Sequence, residues 1–217
     1  RLPTYRGHNE QGMAHAAISY AKQMNRRRMM AVTSSIGPGA TNMVTAAALA
    51  HVNRLPVLLL PGDVFADRRP DPVLQQVEDF SDGSVSANDC FRPVSRYFDR
   101  ITRPEQLLKA LPKAMSVLTD AANCGPVCLS LCQDVQAESY SFPADFFDDY
   151  IWDISRIRCD EHALSGAIKT LSTARRPVII AGGGVRYSGA HDVLKTLAES
   201  TGIPVAMTQA GKSALPD

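Results

Sequence analysis

The sequence predicts an α/β fold with a parallel sheet and flanking helices, and two observations carry this prediction. The first is a set of short, apolar runs that mostly begin at a proline: 30–34, 56–60, 126–131, 177–181 and 204–207. Continuous apolar runs of this length are typical of strands that are covered on both faces, as in parallel sheets. The second is the set of helical stretches that lie between those runs: 9–24, 41–52, 106–118, 160–171 and 190–200. Strands and helices that alternate at this spacing indicate right-handed crossovers between parallel strands.

The helical stretches differ in how clearly they are marked. The stretch 9–24 has apolar or small residues at helical spacing, and 41–52 is rich in alanine, a strong helix former. Pro104 suits the first turn that opens 106–118, whereas Pro112 conflicts with the helix interior and predicts a kink. Gly202 is placed to cap the last helix.

The chain is predicted to contain two α/β units. A polar and aromatic stretch breaks both periodicities, so we expect a first domain at 1–138, a linker at 139–159 and part of a second domain at 160–217. The chain opens on Arg1 without an initiator methionine and stops at Asp217 just after a strand-like run. We therefore expect a piece of a longer polypeptide.

Composition narrows the class of protein. The chain has 217 residues, and 23 Lys and Arg against 22 Asp and Glu leave a net charge of +1, too weak a field to steer it to nucleic acid or an anionic membrane. The longest apolar stretch, 56–61, is far shorter than the ~20 residues of a membrane-spanning helix. Five cysteines in no framework spacing indicate reduced thiols and a cytoplasmic enzyme. No His or Cys set has the spacing of a zinc site, so no metal ligands are assigned.

Three glycine-rich segments could approach a ligand. The segment 35–42 joins a strand to a helix and could present backbone N–H groups, although an ordinary βα turn has the same composition. The run 182–184 is an incomplete dinucleotide-binding pattern, for which turn chemistry is the better interpretation. The segment 206–213 is one residue away from a Walker A sequence, but its first position lies inside a strand and Pro216 follows too soon for a helix.

Several sequence motifs of the chain, taken in order, resemble those of a known family. In order, the segments 9–11, 17–22, 37–42 and 56–63 resemble the pyrimidine-binding domain of thiamine-diphosphate enzymes of the acetolactate-synthase group. The segments 125–127 and 133–136 resemble the end of that domain, and 176–184 and 201–205 resemble the opening of the group's central domain. The resemblance covers nearly the whole chain and implies the Rossmann-like fold of that central domain.

Finer features point to one branch of the group. The segments 33–36, 54–63 and 88–101 are similar to members that hydrolyse a C–C bond and open a cyclic polyol-dione ring in myo-inositol catabolism, giving 5-deoxyglucuronate. Acetolactate synthases usually have glycine at the position of Ser19, and they lack the sequence found here at residues 92–100. Two alternatives stay open: a carboligase that joins two 2-keto acids, and a non-catalytic fragment that keeps only the fold.

The resemblance also implies roles for individual residues. A carboxylate at a helix N-terminus is usually a dipole or capping partner, but Glu10 stands where the family has its catalytic glutamate, which hydrogen-bonds the pyrimidine N1′ of the cofactor. Gly37, Pro38 and Gly39 are expected near the cofactor or substrate, and Gln75 aligns with a glutamine that faces the active site. For its role, Glu10 is expected to lie in a dry site with a raised pKa.

Cofactors and partners follow from the same resemblance. The family binds thiamine diphosphate and Mg²⁺. A separate domain binds the diphosphate through Mg²⁺, using a Gly-Asp-Gly run and an Asn further along the chain. Asp82-Gly83-Ser84 looks like that run but lies in the first unit, and Asn88 follows too soon. The diphosphate-binding domain and the first strand and helix of the pyrimidine-binding domain are therefore expected outside this chain, which alone should not catalyse. Some relatives hold a flavin, and complete chains are expected to form homodimers or homotetramers.

Overall fold

The computed structural model describes residues 3–67, 74–77, 79 and 81–215. It divides into two compact units, residues 1–155 and 156–217. The division lies inside the predicted linker 139–159, and the predicted domain limits themselves stay a prediction. Each unit is described by itself.

The first unit is built on a four-stranded parallel sheet. Its strands are β1 (Ala31–Ser34), β2 (Val57–Asp63), β3 (Tyr97–Ile101) and β4 (Pro126–Cys132), in the order β1-β2-β4-β3. The predicted parallel sheet is confirmed, and the runs that follow prolines form its two central strands. The sequence did not predict β3, an edge strand whose residues are mostly half-buried and include Asp99 and Arg100.

In the part of this unit that the structure describes, four α-helices accompany the sheet: α1 (Glu10–Gln23), α2 (Pro38–Thr41), α3 (Val44–Asn53) and α4 (Leu107–Leu118). The predicted helix 41–52 is thus two helices, because the chain turns at Asn42 and Met43 between α2 and α3. α4 runs through Pro112 without a break, although that residue has no N–H to donate to the carbonyl of Leu108. The helix therefore continues past Pro112 to Leu118, despite the conflict that the sequence indicated at this proline.

The core lies between the central strands and small helical residues. Val57, Leu59 and Val127 are fully buried, and so are Ala46 and Ala47 of α3. Alanine lets a helix lie close to the sheet, while each buried Val or Leu contributes about 1.5–3 kcal/mol to stability. This packing fixes the carboxyl ends of β1 and β2, from which the candidate site is built.

The second unit is smaller and more exposed. It contains a two-stranded parallel sheet, β5 (Ile179–Ala181) and β6 (Val205–Met207), with helices α5 (Glu161–Thr173), α6 (Gly183–Ser188) and α7 (His191–Thr201). Its strands are not covered on both faces as predicted, since Ile180 is 70% exposed and the core of this unit is a small cluster around Ala181, Leu194 and Ala214.

The glycines of the second unit bear on two predictions. The run 182–184 is more than a turn, because α6 begins at Gly183. Gly202 caps α7 in the left-handed conformation, with φ +67°, as predicted.

Among the described residues, no helix combines the length and the apolar character needed to cross a membrane.

Candidate functional site

Glu10 lies at the amino end of α1. Asn9 caps this helix, its Oδ1 accepting a hydrogen bond from the N–H of Gly12 at 2.6 Å. Asparagine is among the preferred N-cap residues, and the first turn of a helix favours a negative charge. Glu10 is the first residue of the helix and is half-buried.

Asn42 is a partner of Glu10 that the sequence did not indicate. It lies between α2 and α3, and its Nδ2 donates a hydrogen bond to Oε2 of Glu10 at 2.9 Å. This bond and a second one from the backbone N–H of Glu10 lower the pKa of the Glu10 carboxyl below its ordinary value, against the opposing effect of burial. The expected raised pKa is therefore wrong for this chain: desolvation is slight, and an amide donor favours the ionised form.

The glycine turn between β1 and α2 lies next to this carboxylate. A side chain at Gly39 would overlap Oγ of Ser35, and its Cβ would lie 3.4 Å from Oε1 of Glu10. Gly37 is buried with φ +63°, and a Cβ there would overlap the carbonyl oxygen of Gln75. Neighbouring atoms leave no room for a side chain at either position, so both must be glycine. At Gly37 the left-handed backbone conformation also favours glycine.

The structure brings together most of the site residues named from the sequence. Glu10 lies beside Gly39, and Pro38 occupies the first position of α2. Gln75 contacts Gly37 through its backbone carbonyl, while Gln75 itself is exposed and has φ +65°. Its assigned contact with substrate stays a prediction.

Replacing Gly37 by alanine tests the close approach to Gln75. We expect Gly37→Ala to destabilise the first unit by more than the about 1–2 kcal/mol that a left-handed alanine costs by itself, because the new methyl group also displaces the Gln75 carbonyl. The matched control is Gly202→Ala, at φ +67° with no atom within 4 Å of the added Cβ. Urea unfolding, followed for the unit that carries each substitution, measures both costs. Equal costs at the two positions would contradict the predicted clash.

A buried polar network lies at the carboxyl ends of the neighbouring strands. Asp63 ends β2, and its Oδ2 accepts hydrogen bonds from Nε of Arg100 at 2.7 Å and from Oγ of Ser130 at 2.6 Å. Asn88 donates to the same Ser130 hydroxyl at 2.6 Å, and Arg100 also donates to Oγ of Ser86 at 2.8 Å. Within the described part of the chain, the buried polar or charged residues (Asp63, Ser86, Asn88 and Ser130) all belong to this network.

A second carboxylate completes the network around Arg100. Asp89 accepts from Nη2 of Arg100 at 3.0 Å and from Nε of the more exposed Arg92 at 2.8 Å. Burial acts to raise the pKa of Asp89, but the hydrogen bonds from the Ser86 N–H and the two arginines hold it below its ordinary value. Burial acts to lower the pKa of Arg100, and the two carboxylates raise it overall. The Arg100 guanidinium is therefore held between two acidic partners.

Asn88 connects this network to Gly62, which lies against the start of the glycine turn. Asn88 donates a second hydrogen bond to the carbonyl of Gly62 at 2.8 Å, and a Cβ at Gly62 would lie 3.2 Å from the backbone nitrogen of Ile36. Ile36 directly precedes Gly37. The carboxyl end of β2 and the start of the glycine turn are consequently packed backbone to backbone.

Comparisons with known proteins show the family to which the chain belongs. Residues 1–82 match the family model described as "Thiamine pyrophosphate enzyme, N-terminal TPP binding domain", and residues 164–217 match "Thiamine pyrophosphate enzyme, central domain". The chain belongs to the thiamine pyrophosphate enzyme family. Glu10, Asn42 and the glycine turn all lie within the part matched by the N-terminal domain of that family.

Three bacterial relatives that are similar over nearly the whole chain carry the same name. The chain is 54% identical over 214 residues to proteins of Clostridium botulinum and Clostridium tetani named "3D-(3,5/4)-trihydroxycyclohexane-1,2-dione hydrolase", covering 99% of this chain and 33% of each relative. A Geobacillus thermodenitrificans protein of the same name is 53% identical, covering 99% of this chain and 34% of its own. The chain thus spans about a third of the length of the curated relatives it matches.

Proposed function

We propose that this chain is part of a thiamine-diphosphate-dependent enzyme that opens 3D-(3,5/4)-trihydroxycyclohexane-1,2-dione by hydrolysis of a C–C bond. The observation that carries the proposal is the 54% identity, across 99% of the chain, to proteins named as hydrolases of that compound. The product would be 5-deoxyglucuronate, as the resemblance in the sequence implies, and the reaction would belong to myo-inositol catabolism.

The site residues fit the aminopyrimidine half of the cofactor. Glu10 offers an ionised carboxylate whose Oε1 lies beside Gly39, a residue with no side chain of its own to cover that oxygen. We assign Glu10 as the catalytic residue and Gly37, Pro38 and Gly39 as cofactor contacts, with Gln75 toward the substrate. When bound, thiamine diphosphate supplies a nucleophilic carbon and then holds the electron pair that C–C cleavage leaves behind.

The chain's own residues would act on one proton. Because the pKa of Glu10 is lowered, Glu10 is a carboxylate near neutral pH and would accept a hydrogen bond from a proton at the pyrimidine N1′. The glycine turn is itself fixed, since Gly37 is packed against the Gln75 carbonyl and Gly39 against Ser35. Glu10 would thus stabilise that proton, and the turn would help to orient the ring that carries it.

The remaining cofactor and partner assignments belong to the complete protein. We propose that Mg²⁺ and the diphosphate are bound by the family's diphosphate-binding domain. Within the described residues, no group of three or more His, Cys, Asp or Glu side chains is arranged to hold a metal ion. A homodimer or homotetramer in the cytoplasm is proposed, and the central domain is the place where a flavin would bind.

The experiment that tests the reaction compares two substrates. Full-length protein loaded with thiamine diphosphate and Mg²⁺ is given trihydroxycyclohexane-1,2-dione in H₂¹⁸O, and pyruvate in a parallel reaction. We expect an acyclic acid with the mass of the substrate plus one water and a single ¹⁸O in its new carboxylate, and no consumption of pyruvate. Pyruvate consumption without ring opening would replace the hydrolase by a carboligase.

A further inference from the structure

We propose that Asn42 is the positioning residue for Glu10: its amide holds one carboxylate oxygen so that the other faces Gly39. This inference rests on the proposed function, because it assigns a second residue to the same site. Asn42 itself is assigned no contact with cofactor or substrate.

The two carboxylate oxygens of Glu10 have different surroundings. Oε2 accepts the hydrogen bond from Nδ2 of Asn42 at 2.9 Å. Oε1 is the oxygen that lies 3.4 Å from the Cβ position of Gly39. A carboxylate with one oxygen anchored loses its free rotation about the last side-chain bond, so the orientation of Oε1 is set before any ligand arrives.

Asn42 is itself held firmly by the local fold. Its backbone N–H donates to the carbonyl of Pro38 at 3.1 Å, and the next residue, Met43, is fully buried. The glycine turn that lies beside Oε1 and the amide that holds Oε2 are therefore parts of one short segment, residues 37–42. This segment therefore fixes both the glycine turn and the carboxylate beside it.

An amide suits this role better than an ionisable side chain. It donates one hydrogen bond to the carboxylate, keeps Glu10 ionised and adds no charge to a partly buried site. An aspartate of the same shape at this position would place a second carboxylate against Oε2 and repel it. Asn42→Asp and Asn42→Ala therefore disturb the same contact by different means.

The test is a double-substitution cycle in the full-length protein, read by calorimetric binding of thiamine diphosphate in the presence of Mg²⁺ and by ring-opening rates. We expect Asn42→Ala to weaken cofactor binding ~3–10-fold and to lower kcat ~10–100-fold with little change in KM, as for a misoriented catalytic group. Asn42→Asp should be at least as severe. In a Glu10→Gln background, Asn42→Ala should add no more than ~2-fold to either quantity, because the oriented carboxylate is already gone.

The matched control is Asn53→Ala at the end of α3, which also removes an amide hydrogen bond of 2.9 Å, to the carbonyl of Leu49. It should leave binding and rate within ~2-fold of wild type, as expected for a site away from the chemistry. An Asn42→Ala effect that equals this control, or that multiplies in full with Glu10→Gln, overturns the inference. A wild-type protein that neither binds thiamine diphosphate nor opens the ring would instead contradict the proposed function. Failure of the Asn42 inference and failure of the proposed function are therefore distinguishable.

Discussion

Glu10→Gln in the full-length protein is expected to lower the rate of ring opening about 10³-fold, within the range seen when a group that handles a proton is removed. Glutamine keeps the size of the side chain, and its oxygen can still accept the Asn42 hydrogen bond, but it carries no negative charge. Without that charge the residue cannot stabilise a proton at the pyrimidine N1′. Initial rates at saturating substrate and cofactor measure the effect, with thermal unfolding to confirm that the variant is folded.

The matched control for this substitution lies in the second unit. Glu161 is the first residue of α5 and follows an Asp160 cap, just as Glu10 is the first residue of α1 and follows an Asn9 cap. Glu161→Gln removes the same charge from the same helix position and should leave the rate unchanged. Comparable losses from the two substitutions would show that Glu10 acts only on its helix.

The second large effect is expected on stability. Arg100→Met should destabilise the first unit by about 3–5 kcal/mol, because it leaves the Asp63 carboxylate, whose side chain is 1% exposed, without its cationic partner. The hydrogen bonds that Asp63 accepts from Ser130 and from the Val64 N–H do not replace the lost charge. Urea unfolding followed by circular dichroism measures the free-energy loss.

Arg92→Met is the control for this change. Arg92 binds the same Oδ1 of Asp89 but is 57% exposed, and it also lies 4.4 Å above the centroid of the Phe98 ring. Exposed ion pairs and cation–π contacts of this kind contribute about 1 kcal/mol or less each. Adding Asp63→Asn to Arg100→Met should recover part of the loss. A cost at Arg100 no larger than that at Arg92 would show that Asp63 does not depend on it.

The sequence predicted the regular elements where one signal dominates. The apolar runs predicted at 56–60 and 126–131 lie in the two central strands, Val57–Asp63 and Pro126–Cys132, because a continuous run of mostly buried apolar side chains is a strong local signal. β3 was missed, since Asp99 and Arg100 interrupt its apolar character. The role of Arg100 is visible only in the folded chain, where Asp63 of the sheet and Asp89 of the 3₁₀ helix Ala87–Val94 both accept hydrogen bonds from it.

The candidate residues named from the sequence lie close together in the structure, but the sequence did not indicate the electrostatics around Glu10. Glu10 and the segment 37–39 lie together in the structure, whereas the amide of Asn42 reaches Glu10 from 32 residues away, and no local pattern announces that contact. A raised pKa assumes a dry carboxylate. The structure instead provides a half-exposed helix end and an amide donor, and both favour the ionised form.

The most direct test of the account is the ring-opening rate of cofactor-depleted full-length protein before and after addition of thiamine diphosphate with Mg²⁺, with Glu10→Gln measured beside the wild type. The account predicts no turnover before addition, turnover afterwards in the wild type, and about 10³-fold less in the variant. Turnover without the cofactor, or an equal rate in Glu10→Gln, would contradict it.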